Sequence, residues 1–160
     1  MSGEQVFAII FCCLAFAFVF ILIFAIGRTR KRGKKQIRRL SHDAVEMTPE
    51  RFFELREKIR KGQSGDKKRF EGVYILHNKT KRLYYVGQGV QVPDRVNSHF
   101  TGKGNGDVYA DYKYGDEFTI RLIPLYKSGF STLNELEKAA IEAYDAFASG
   151  YNKTRGNGAV

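Results

Sequence analysis

The sequence predicts a small α/β (α+β) domain, a three-stranded antiparallel sheet flanked by helices, preceded by an N-terminal transmembrane helix and a basic linker. Three observations predict it. Two short β-type runs, 72–77 and 82–87, flank the polar stretch Asn78-Lys79-Thr80-Lys81, whose leading Asn accepts turn geometry. A third run, 118–123, alternates apolar and polar before turning apolar into Pro124, and segments of helical period surround it. Residues 6–26 contain 21 residues without a charge, Pro or Gly.

The totals fit one domain with a modest appendage, since 160 residues is about one domain by length. A formal net charge of +10 implies a polyanionic partner, nucleic acid or anionic lipid. Residues 1–70 hold 16 Lys/Arg against 7 Asp/Glu, and residues 71–160 hold 11 against 10. The excess therefore lies outside the segment that carries the paired runs. Cys12 and Cys13, the only cysteines, are adjacent within the apolar run. They cannot staple distant parts of the chain, and they exclude a zinc site of the usual kind.

As a helix the 6–26 run measures roughly 31 Å, enough to cross the hydrocarbon core of a bilayer. A soluble core helix would show a polar stripe, and a cleaved leader would be shorter and preceded by charge. Residues 1–27 are thus expected to be a transmembrane anchor. Arg28, Arg30, Lys31, Arg32, Lys34, Lys35, Arg38 and Arg39 follow it, against Glu4 alone before it. The positive-inside rule then places the N-terminus outside and residues 28–160 in the cytoplasm, at a cell inner membrane crossed once. The same eight cations could rest on anionic headgroups or touch nucleic-acid phosphates.

Residues 28–69 are expected to be a basic linker, mobile over 28–47, with one amphipathic helix at about 48–61. Thr48 can cap that helix, Pro49 suits its first turn, and Glu50 favours its positive end. Phe52, Leu55, Ile59 and Phe53 form its apolar stripe, expected to pack on the neighbouring domain. Gly62 to Asp66 reads as a joint, and Lys67-Lys68-Arg69 as a further basic run.

The domain proper is placed at 70–160. After the hairpin, Gly87-Gln88-Gly89 permits a tight passage, and Pro93 opens a helix carrying Arg95 and His99 on one face, with Val96 and Phe100 toward the core. A loop at 101–106, a short helix at about 107–114 and the third strand follow. Ser131 can cap a long helix from Leu133 to about Phe147, and Gly150-Tyr151-Asn152 ends the fold.

Gly72-Val73-Tyr74 and Tyr84-Tyr85-Val86-Gly87 resemble the signature of the GIY-YIG nuclease family, with Val in place of Ile in both halves. The resemblance extends over about ninety residues: Tyr74, Tyr85, Arg95, His99, Glu137 and Asn152 occur in the family's order at plausible intervals. It implies a metal-dependent phosphodiesterase site. Tyr74 would be the general base, Arg95 would grip phosphate, Tyr85 and His99 would assist, and Asn152 would fix geometry by hydrogen bonds. Glu137 would hold one divalent cation, Mg2+ or Mn2+, since hard cations accept a single carboxylate with waters and phosphate.

Each residue also has a plainer reading. Tyr74 and Tyr85 could be packing tyrosines, His99 a satisfied surface histidine, Glu137 a solvent-facing helix acid and Asn152 a turn residue. The expected function is a membrane-tethered, divalent-metal-dependent endonuclease acting on DNA, such as phage or transferred DNA entering a bacterium. The competing reading is a non-catalytic nucleic-acid-binding or membrane scaffold module of the same fold.

Overall fold

The computed structural model describes residues 3–61 and 70–156, apart from the side chains of residues 3–10, 12 and 13. The expected joint at 62–66 and the basic run at 67–69 lie outside the described residues. The chain divides into two compact units, Met1–Gly33 and Lys34–Val160, and each is taken by itself.

The first unit is helical, as part of α1 (Gly3–Asp43). Its described apolar side chains are exposed, among them Phe11, Phe16, Phe20 and Phe24. Among the described residues, no helix is long and apolar enough to cross a membrane. The expected span at 6–26 includes residues 6–10, 12 and 13, whose side chains lie outside those described.

The second unit is α+β. Its central strand β1 (Gly72–Asn78) pairs antiparallel with β2 (Leu83–Gly89) on one side and β3 (Phe118–Pro124) on the other. The β1–β2 hairpin closes as its sequence dictates. The Asn78 side chain accepts the Lys81 N–H at 3.0 Å, and Arg82 takes a left-handed φ of 58° to re-enter the strand. Alternation then sorts the side chains of β1 to two faces.

Val73 and Ile75 join Val86, Ile123 and the Leu136, Ala140 and Ile141 stripe of a later helix, labelled α5 below. Tyr74 and Leu76 face the opposite cluster. It contains Phe52 of α2 (Pro49–Arg60), Val92, Val96 and Phe100 of α3 (Val92–Phe100), and Val108 of α4 (Gly106–Lys113). As the middle strand, β1 is buried on both faces.

Thr48 caps α2 as expected, accepting the Arg51 N–H at 3.4 Å, and Phe52 buries the apolar stripe in the domain. The final helix, α5 (Leu133–Ala143), begins at Leu133 as expected but departs from expectation in its cap and its last turn. Thr132, rather than Ser131, caps it: its hydroxyl accepts the Glu135 N–H, while the Glu135 carboxylate reaches back to the Ser131 N–H. The helix stops four residues early because the chain reverses at Asp145, where φ is 52°. Phe147 is consequently partly exposed rather than on the core stripe.

The mobile tether expected at 28–47 is instead helix as far as Asp43. Within the second unit, Ile37 is fully buried in the cluster with Val73 and Leu136, and Leu40 packs beside it. Ser41 is hydrogen-bonded to Tyr144. Burial of one such isoleucine is worth about 1.5–3 kcal/mol. Arginines flank these residues in sequence, but Ile37, Leu40 and Ser41 are spaced three and four apart and so share one helix face. Both sheet edges are occupied. Met47 exchanges two backbone hydrogen bonds with Ile120 of β3, and the 151–152 segment lies along β2.

Candidate active site

The hairpin places Tyr74 and Tyr85 on one face of the sheet, because register pairs Tyr74 with Gly87 and Leu76 with Tyr85. Their ring centroids are 6.2 Å apart. Gly87 is needed there: a Cβ at that position would fall on the Tyr74 hydroxyl. Helix α3 brings His99 against both rings, at centroid distances of 5.4 and 4.7 Å. His99 Nε2 lies 2.8 Å from the Tyr74 hydroxyl. Arg95, one turn earlier, passes over Gly89, where a Cβ would come within 2.9 Å of its Cγ. Its positive charge acts on the Tyr74 phenol.

These four side chains are brought together, and their electrostatics differ from those of free residues. Burial holds the Tyr74 phenol well above its usual range, and the neighbouring Tyr85 pushes it further; Arg95 acts in the opposite sense. Burial also raises Tyr85, with Arg95 and the neighbouring Tyr74 opposing it. Burial, then Arg95, lowers His99 from 6.5 to about 4, so the ring is neutral at physiological pH. The two tyrosines are not equivalent. Tyr74 has no exposed surface, whereas Tyr85 is half-buried.

Glu137 comes from the other side of β2. It projects from α5, is 7% exposed, and accepts a hydrogen bond from Gln88 Nε2 at 3.1 Å. Gln88 also donates to Asn134 Oδ1 at 2.8 Å. Glu137 is therefore an inward-facing acid rather than a solvent-facing one, and its charge is felt by Tyr85. Among the described residues, no group of three or more His, Cys, Asp and Glu is gathered to hold a metal. Among the described residues, the donors at hand are one carboxylate beside two side-chain amides. That set fits a hard cation that keeps most of its water and does not fit a protein-built cage.

Asn152 stands apart from the phenols. Its side chain accepts the Val86 N–H at 2.8 Å and donates to the Val86 carbonyl at 2.7 Å, standing in for a neighbouring strand. Tyr151 N–H donates to the Tyr84 carbonyl at 2.9 Å, extending that contact. The eight cations from Arg28 to Arg39 are exposed.

The sequence reading missed three contributors. Gln88 lies in a stretch read only as a glycine turn, although its register opposite Val73 puts it on the α5 face. The 101–106 loop supplies a backbone contact to His99 that no side-chain pattern encodes. A second buried polar cluster also went unread. Asn78 Nδ2 donates to Asp116 at 2.7 Å and to the Tyr151 hydroxyl at 2.7 Å; that hydroxyl donates to Asp111 at 2.6 Å, and Lys81 pairs with Asp111 at 2.5 Å. It anchors the chain one residue before Asn152.

Residues 70–152, just over half of the chain, match the GIY-YIG catalytic domain. The chain belongs to the GIY-YIG family, which is a family of endonucleases. No curated protein and no solved structure matches it.

Proposed function

From that membership we propose that the chain is a membrane-tethered, divalent-metal-dependent endonuclease that hydrolyses DNA phosphodiester bonds. Its substrate would be DNA entering the cell, such as phage or transferred DNA. The observation that carries the nuclease reading is the convergence of Tyr74, Tyr85, Arg95 and His99 on one side of β2 with the buried Glu137 on the other.

Hydrolysis requires a base for the attacking water and positive charge on the phosphoryl oxygens. The resemblance gives the base role to Tyr74. Tyr74 is fully buried beside the half-buried Tyr85, so water approaches the pair from the Tyr85 side. Arg95 opposes the burial of both phenols and so favours their ionised forms. Its planar guanidinium is also suited to grip a phosphate through two N–H groups. Glu137, held by Gln88, would carry Mg2+ or Mn2+ in the mostly hydrated form the donor set fits. Bound there, the cation would neutralise charge on the scissile phosphate. Asn152 holds β2 in place and so keeps Tyr85 aligned.

The tether is supported by the 21 uncharged residues at 6–26 and by the exposure of their described side chains. The following cations support an inner-membrane location with the catalytic unit in the cytoplasm. They also add phosphate or headgroup affinity that residues 71–160, at 11 cations to 10 acids, have little of.

The test is plasmid nicking by the purified full chain with Mg2+ or Mn2+, beside Tyr74→Phe, Arg95→Ala and Glu137→Ala. Nicking by the parent and losses of about 100-fold or more in each variant are expected. DNA retention without nicking under either metal would replace the enzyme with a binding module. For the tether, the full chain should resist carbonate extraction from membranes, and the Phe16→Lys/Phe20→Lys double variant should not. Extraction of the parent would overturn that part alone.

A further inference from the structure

His99 is the most constrained polar group in the site, and both of its ring nitrogens are engaged. Nε2 faces the Tyr74 hydroxyl at 2.8 Å, and Nδ1 receives the backbone N–H of Asn105 at 2.8 Å. A peptide N–H only donates, so Nδ1 must present its lone pair. A neutral imidazole carries one N–H, which is then on Nε2. The ring is neutral and 1% exposed, so water does not reorganise this arrangement.

We propose that the Asn105 backbone amide fixes His99 in its Nε2–H tautomer, which makes His99 a standing hydrogen-bond donor to the Tyr74 oxygen and excludes it as acceptor of the Tyr74 proton. Asn105 is a positioning residue, acting through His99. The Tyr74 hydroxyl hydrogen is consequently turned away from His99, and negative charge on that phenol meets a donor from behind.

The loop around Asn105 is built to hold that amide still. The Asn105 side chain caps α4, accepting the N–H groups of Asp107 and Val108 at 2.9 and 3.0 Å, and its Nδ2 donates to the Tyr151 carbonyl at 3.3 Å. Gly104 lies directly over the imidazole, where a Cβ would stand 2.6 Å from Nδ1. The loop can approach the ring closely enough to donate only because that residue lacks a side chain.

The inference rests on Tyr74 being the base, and its test separates the two. The chain has three histidines, so long-range proton–nitrogen spectra of the 15N-histidine-labelled full chain are assigned by comparison with His99→Gln. The expected signature for His99 is a protonated Nε2 and an unprotonated Nδ1; the Nδ1–H form, or a mixture, would overturn the assignment. Asn105→Ala keeps the amide and should keep the tautomer. Asn105→Pro removes the amide at a φ of −73° that proline accepts, and should release the tautomer. A pure Nε2–H form in the proline variant would show that another group fixes it.

Should the proline variant fail to fold, a second pair decides. Glutamine can donate through Nε2 and accept through Oε1 in the same sense as this tautomer, but it cannot take up a proton. His99→Gln should nick plasmid within about tenfold of the parent, and His99→Ala about 100-fold more slowly. Equal losses in the two variants would overturn the donor role. If the parent itself nicks nothing while the Nε2–H signature is present, the nuclease reading falls and the tautomer assignment stands.

Discussion

The domain buries two polar clusters containing tyrosine, and they are wired oppositely. Around Asn78, the Tyr151 hydroxyl sits between a donor amide and the Asp111 carboxylate, and Lys81 lies within ion-pair distance of both Asp111 and Asp116. Every polar partner there is another residue of the same chain. Around Tyr74, the charged neighbour is a guanidinium, the second phenol is half-buried, and the carboxylate that acts on Tyr85, Glu137, lies across β2. The first cluster is hydrogen-bonded within itself and carries one more acid than cation, whereas the second presents a cation that favours an anion. Burial and tyrosine content alone therefore do not mark a site; the sign and direction of the unspent partners do.

Four experiments bear on that contrast. Arg95→Ala removes the cation of the Tyr74 cluster and should lower nicking by about 100- to 1,000-fold, roughly 3–4 kcal/mol, with the melting temperature almost unchanged. A large fall in melting temperature with proportionate loss of rate would make the Tyr74 cluster structural as well.

Acid should break the Tyr74 cluster first. The folded pKa of His99, about 4, lies below its ordinary 6.5, so the unfolded chain binds the proton first as pH falls. Stability is then lost between about pH 6.5 and 4, by at most about 3 kcal/mol, and His99→Gln should flatten that slope. Burial tends to raise Asp111, but hydrogen bonds from Lys81 and Tyr151 prevail and hold it below 3.8. Its contribution is lost only under stronger acid. Urea unfolding from pH 4 to 7 measures the difference, and equal slopes in parent and variant would remove it.

Tyr151→Phe removes the hydroxyl that joins Asn78 to Asp111, leaving Asn78 with Asp116 and Asp111 with Lys81. It should cost about 1–3 kcal/mol in stability while nicking per folded molecule changes little. Loss of rate without loss of stability would show that the Asn78 cluster takes part in catalysis. Lys81→Met should have the smallest effect, a small drop in melting temperature that shrinks with added salt, because the lysine is half-exposed.

The hairpin was legible because local chemistry specified it: glycines at both ends, a turn-forming Asn and alternating apolar residues. The resemblance supplied six candidate positions. The structure brings Tyr74, Tyr85, Arg95 and His99 together, sets Glu137 across β2, and gives Asn152 to the backbone of Val86. What stayed hidden depends on long-range or backbone contacts. Gln88 meets Glu137 across 49 residues, Tyr151 meets Asn78 across 73, and the Asn105 amide contributes no side chain at all. Ile37 was obscured differently, because the cations around it outweighed the three-and-four spacing that places it with Leu40 and Ser41. The end of α5 was overestimated because its periodic pattern continued past the reversal at Asp145, a backbone event that periodicity does not report.

The side-chain amide of Asn152 has a consequence for solubility. A three-stranded sheet has two open rims, each a template on which a foreign strand can add. Met47 occupies one and Asn152, with Tyr151, the other. Asn152→Ala would uncover the Val86 N–H and C=O and invite edge-to-edge self-association. The Tyr151–Asn152 segment is thus also a guard against aggregation.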